Sequence, residues 1–224
     1  MRRFLKHNGL SLFFGVIFLA ALIGQSFAGW SDFNDQQTAA QLIPISYVDY
    51  VTSASFAADV TENWQSEYLQ FLLYIAATVW LVQRGSPESK DLDAAGPGSD
   101  EDQLVGPHAR KDSPAWAKAT GWRRSLYSHS LIWVMGAIFF ASWAVQGIAG
   151  HAAYNEQQLI DYQEPLSLAQ YLVSADFWNR TLQNWQSEFL AVGSMVVLSI
   201  YLRERGSPES KPVGASHEET NVEG

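Results

Sequence analysis

The chain has 224 residues, 47% of them hydrophobic and 13% aromatic, with a formal net charge of −9 and no cysteine. That acidity sets aside nucleic acid as a partner, because binding it requires clustered lysine and arginine. The missing thiols exclude disulfides, thiolate zinc sites, iron–sulfur ligation and cysteine nucleophiles.

The apolar residues are gathered into four runs, with the charges between them. Residues 1–9 carry Arg2, Arg3 and Lys6, and Leu10 to Ala28 then contains no charge. Nineteen residues at ~1.5 Å per residue come close to the ~30 Å of a bilayer's hydrocarbon. A basic start, an apolar core and Ser26-Phe27-Ala28 also fit a cleaved secretory signal. The same layout recurs in mid-chain at Leu131–Ala149. A terminal signal cannot operate there, so a retained span is the simpler reading of both.

The acidic loop that follows holds Asp32, Asp35, Asp49, Asp59 and Glu62, with no lysine or arginine before residue 67. Within it, Pro44-Ile45-Ser46 followed by Asp49 predicts a helix start with Ser46 as N-cap. Tyr47, Tyr50, Val51 and Ala54 fall on one face of that short helix, which suits a membrane interface and equally an ordinary loop helix packed on its neighbours. A second long helix is expected from Phe56 to about Gln83, with its apolar part at Tyr68–Val82. Arg84, Gly85 and Pro87 supply its stop signals.

Residues 91–121 are rich in Asp, Gly, Pro and Ser, centred on Asp100-Glu101-Asp102, and read as a mobile solvated connector. The third run, Leu131–Ala149, leads to a second acidic loop in which Arg180 is the single cation. The fourth run is Trp185–Leu202, and a polar tail expected to be disordered closes the chain.

These elements repeat without a gap at an offset of 121. Asn63-Trp64-Gln65-Ser66-Glu67 returns as residues 184–188, and Arg84-Gly85-Ser86-Pro87-Glu88-Ser89-Lys90 as residues 205–211. Ala28-Gly29, Asn34, Gln36-Gln37, Pro44 and Ser46 recur in the same register. Such self-similarity indicates duplication. The expected organisation is a first two-span unit at 1–90, a linker at 91–121, a second unit at 122–211 and a tail at 212–224. The fold class is an all-α membrane protein of four transmembrane helices, with short interfacial helices in the outer loops. Of fourteen Lys and Arg, thirteen lie before the first run, in residues 84–124 or after residue 202. Since cytoplasmic segments retain these residues, both termini and the linker are expected inside.

Polar residues near the spans are the candidate binding positions. Gln25 and Gln146, Asn63 and Asn184, and Glu67 and Glu188 occupy equivalent places and are expected at one level near the edge of the hydrocarbon. An ionisable residue in a span is a functional hypothesis by default, although a Gln–Glu hydrogen bond can equally lock two helices together. Ala20, Gly24 and Ala28 form a small-residue series suited to close helix packing. No phosphate loop, His-Glu-x-x-His or Gly-x-Ser-x-Gly is present, and His151 with Glu156 makes no zinc pattern. No catalytic residue, metal or cofactor is expected.

The Gly24-Gln25, Ala28-Gly29-Trp30, Asn34, Gln36-Gln37, Glu62–Glu67 and Arg84–Lys90 motifs together resemble a bacterial family of integral membrane proteins known as a domain of unknown function. The resemblance covers both units and implies a bacterial plasma-membrane protein, with no activity attached. The leading functional expectation is therefore a structural or interaction role in the cell envelope, with the lipid bilayer, a second copy or another envelope protein as partner. A small transporter or channel component is the alternative, and a membrane-embedded enzyme a remote one.

Overall fold

The computed structural model describes residues 2–223. Among them there are eight α-helices and no strand. Helix α1 (Arg2–His7) turns at Asn8 into α2 (Gly9–Ala39); α3 (Tyr47–Val51) and α4 (Ala54–Trp80) follow. Residues 81–121 contain only turns and one short 3-10 turn. Helices α5 (Trp122–Ser128), α6 (Ser130–Ile160), α7 (Leu168–Leu172) and α8 (Ala175–Tyr201) complete the chain. The bounds of α6, α7 and α8 each fall 121 positions after those of α2, α3 and α4.

The long helices do not stop where their apolar runs stop. Helix α2 was expected to end near Ala28 and continues to Ala39, and α6 continues past Ala149 to Ile160. No proline interrupts either stretch, and the polar extension of α2 satisfies itself. Gln36 donates to Asp32 one turn back at 2.8 Å, and Thr38 donates to the Asn34 carbonyl at 2.8 Å. Each helix ends on a non-glycine residue in the left-handed region, Gln41 (φ 61°) and Tyr162 (φ 58°). The following amides, of Leu42 and Gln163, return to the carbonyls of Gln37 and Gln158 at 2.8 and 2.7 Å. These bonds satisfy carbonyls that the helix end would otherwise leave open. Helix α4 stops at Trp80 rather than Gln83, and Gly85 takes its positive φ of 84° in the turn beyond.

Contacts gather the chain into two compact units. Unit 1 comprises residues 1–61 and 144–177. In it, a side chain of the long helix holds the approach to each short helix. The Asn34 amide accepts from the Ile45 N–H at 2.8 Å and donates to the Ile45 carbonyl at 3.0 Å, and the Trp30 indole donates to that carbonyl at 2.8 Å. Asn155 treats Leu166 the same way, with His151 in the place of Trp30 and 2.6 Å from the Leu166 carbonyl. His151 thus has a structural task. The two short helices start as expected. Ser46 accepts from the Asp49 N–H, and Ser167 with Gln170 forms a full capping box. Tyr50 and Tyr171, each buried, then press their phenol ends against Gly29 and Gly150 on α2 and α6. Only glycine lets the ring approach the backbone so closely.

Unit 2 comprises residues 62–143 and 178–224. It contains most of α4 and α8, the first half of α6, the connector and the tail. The connector is folded on itself: the Gly106 N–H donates to the Ala117 carbonyl at 2.9 Å, and Arg124 pairs with Asp100 at 3.2 Å. The tail, read from sequence as disordered, lies along the turn after α4. Glu218 pairs with Arg84 at 3.0 Å, the Gly85 N–H donates to Thr220 Oγ1 at 2.9 Å, and the Asn221 N–H donates to the Ser86 carbonyl at 3.2 Å.

Candidate functional site

Gln25 and Gln146 lie in unit 1, while Asn63, Glu67, Asn184 and Glu188 lie in unit 2. Gln25 is exposed, and its neighbour Ser26 is the buried residue, hydrogen-bonded to the Tyr47 hydroxyl at 2.8 Å. Gln146, at the equivalent position of α6, is only 2% exposed. On α4, Asn63, Trp64 and Glu67 are exposed, while Gln65 and Ser66 are buried. Asn184 and Glu188 are half-buried on α8. The small-residue series of α2 is exposed, and nothing lies within 4 Å of a Cβ placed at Gly24.

Unit 2 brings together a different polar set. Arg180, the cation standing alone in its acidic segment, directs its Nε at Glu62 Oε2 at 2.6 Å, with the two side chains 35% and 18% exposed. One turn along α4, Gln65 is fully buried; it donates to the Glu62 carbonyl at 3.0 Å and accepts the Trp185 indole N–H at 2.8 Å. Asn184 donates to the Arg180 carbonyl at 2.9 Å. Three tryptophans close around this chain of bonds. The Trp143, Trp178 and Trp185 ring centroids are mutually 6.2–6.5 Å apart, and the Trp178 and Trp185 planes are nearly perpendicular at 89°. This is edge-to-face packing, in which ring edges meet ring faces. The sequence offered one signal for the set, the solitary Arg180. Its partner could not be read from the 121-residue register, because Glu62 and Arg180 are not equivalent positions.

The repeated Arg-Gly-Ser-Pro-Glu-Ser-Lys segment folds into a self-capped loop in both copies. Ser89 Oγ accepts from the Gln83 N–H at 2.8 Å, and Ser210 Oγ from the Glu204 N–H at 2.9 Å. The lysines then clasp the chain beyond: Lys90 reaches the Gly96 carbonyl, and Lys211 Nζ donates to the carbonyls of Ser216, His217 and Glu219 at 3.0–3.1 Å. Glu88 accepts the Tyr74 hydroxyl. It is also hydrogen-bonded to Glu209, the equivalent residue of the second copy, and that bond, followed by the charge of Glu88, pushes Glu209 above the usual carboxylate range. In unit 1, burial pushes the Tyr50 phenol up, with the carboxylates of Asp59 and Asp32 adding to it. Among the described residues no group of three or more His, Asp or Glu is placed to hold a metal ion.

The model of the family described as Domain of unknown function (DUF6766) matches residues 1–222. The chain belongs to that family. No curated protein and no solved structure matches it. The family description carries no activity. Among the described residues two helices, α2 and α6, are long and apolar enough to cross a membrane. Only 6% of the apolar window of α2, and 22% of that of α6, is buried within the chain.

Proposed function

We propose that this chain is a four-span protein of the bacterial plasma membrane with a structural or interaction role in the envelope. It would be built as two copies of one helical hairpin, with both termini and residues 84–124 cytoplasmic. The observation that carries this reading is the exposure of α2 and α6. The core helix of a water-soluble protein buries its apolar surface; these two leave theirs open, and lipid is the solvent that accepts it. A secretory signal accounts for α2 alone, since α6 lies in mid-chain.

Charge distribution favours α4 and α8 as further spans. If only α2 and α6 crossed, residues 84–124 would lie outside with seven of the fourteen Lys and Arg. Adding α4 and α8 returns all seven to the side that retains cations. Their polar N-terminal turns are compatible with this, because Glu62, Arg180, Gln65 and Trp185 satisfy one another. The same pairing supports a packed role for this part of α4 and α8, since Glu62, Arg180, Gln65 and Trp185 are spent on one another.

The natural absence of cysteine makes topology directly measurable. Ala40 and Ala115 are both exposed. In intact cells, a membrane-impermeant maleimide should label the Ala40→Cys variant and leave Ala115→Cys unlabelled until the cells are opened. Labelling of both would reduce the count to two spans, and release of the chain by carbonate washing would remove the membrane reading altogether.

A further inference from the structure

Unit 2 contains a pocket of about 220 Å³ at the C-terminal end of α4. For scale, a dry cavity of about 150 Å³ accepts benzene. Its body is apolar, lined by Ala77, Leu81, Val82 and Val196. Its other end carries the Tyr74 hydroxyl and the Glu88 carboxyl group. The Tyr74 donation uses one Glu88 oxygen and fixes the side chain at the pocket wall. Glu209 adjoins it from the second copy of the loop. Among the described residues no cation pairs with either carboxyl group, because Arg84 is committed to Glu218, Lys90 to the Gly96 carbonyl and Lys211 to the tail carbonyls. The pocket therefore joins greasy walls to one uncompensated negative end. Such a combination selects against anions, whose charge Glu88 repels, and favours a ligand with an apolar body.

We propose that this pocket binds a small organic cation with an apolar body about the size of a phenyl ring, its charge held at Glu88 and its body against Ala77, Leu81 and Val196. The inference stands on unit 2 alone and does not depend on how many helices cross a membrane.

The test is equilibrium dialysis of the full chain in detergent micelles against benzyltrimethylammonium. Binding should be saturable at one site. Glu88→Gln, which keeps the shape and removes the charge, should weaken it about tenfold or more, a difference of about 1.4 kcal/mol. Ala77→Phe, which fills the pocket, should abolish it, with circular dichroism confirming that both variants keep their helices. Neopentylbenzene, the neutral counterpart of the probe, should bind clearly less well. Non-saturable uptake, equal binding of the neutral counterpart, or an unaltered Glu88→Gln variant would each overturn the proposal. Displacement of the probe by Mg²⁺ alone at equal concentration would also overturn it, by assigning the carboxyl pair to a metal.

Discussion

Helices α2, α3 and α4 share their bounds to the residue with α6, α7 and α8 at the 121-residue offset, and yet the two sets differ in what they do. Gln25 of α2 is exposed and Gln146 of α6 is buried. Where the first half has Leu22 and Ala57, the second has Trp143 and Trp178, so only the second supplies the extra rings of the three-tryptophan cluster. Where the first half has Asp59, the second has Arg180, which finds Glu62. Positions that set backbone geometry are kept in both halves: Gly29 and Gly150, Asn34 and Asn155, Ser89 and Ser210. The variable positions set side-chain partners. One backbone plan therefore accommodates two different surfaces, and the distinct pairing belongs to the side chains.

Substitutions can break this comparison at its shared points and sharpen it at its divergent ones. The largest effect is expected where backbone and ring touch. A Cβ at Gly150 would lie 2.6 Å from the Tyr171 hydroxyl, and one at Gly29 would lie closer still to the Tyr50 hydroxyl. Both tyrosines are buried and have little room to swing aside. Gly29→Ala and Gly150→Ala should each destabilise by about 1–3 kcal/mol, even after the gain in helix propensity. Gly29→Ala should be the worse of the two, read as thermal loss of helicity in micelles. Equal tolerance of both would mean that the ring contact does not fix the short helices.

A smaller effect, confined to the second half, should follow Arg180→Ala. Glu62 would be left partly buried without its cation, at a cost of about 1–2 kcal/mol, between the values for exposed and buried pairs. Exchanging the charges, Glu62→Arg with Arg180→Glu, should recover most of it. No recovery would show that the surrounding tryptophans, rather than the ion pair, hold α4 to α8. The smallest effect concerns the caps. Ser167→Ala removes a full capping box and Ser46→Ala a simpler N-cap. Each should cost about 1 kcal/mol, the former a few tenths more.

Much of the fold is legible in the sequence because its signals are local. The N-caps at Ser46 and Ser167, the existence of every long helix and the 121-residue register all follow from spacing and composition. The helix ends were less legible. Hydropathy stops at Ala28, but nothing between Gly29 and Ala39 opposes a helix, so the backbone continues through polar residues. The candidate site was the least legible. Helical periodicity placed Asn63 and Glu67 on one face of α4, as the structure does, but could not say which face is buried; Gln65, Ser66 and Leu69 take that place. The Glu62–Arg180 and Gln65–Trp185 bonds join non-equivalent positions of the two halves, and no one-dimensional pattern announces such a match. The repeated Arg-Gly-Ser-Pro-Glu-Ser-Lys segment reads as a helix terminator. Its serine capping and lysine clasps emerge only when the loop closes on itself.

Helix α2 runs unbroken for 31 residues, about 46 Å at 1.5 Å per residue. In the proposed membrane orientation the oily interior of a bilayer takes up ~30 Å of that, which leaves some ten residues standing clear as a stiff mast. Asn34, Trp30 and Gly29 moor the short turn at Tyr47–Val51 to this mast rather than to a flexible tether. Force applied to that turn would therefore reach the greasy stretch below as tilt, with no intervening joint to absorb it.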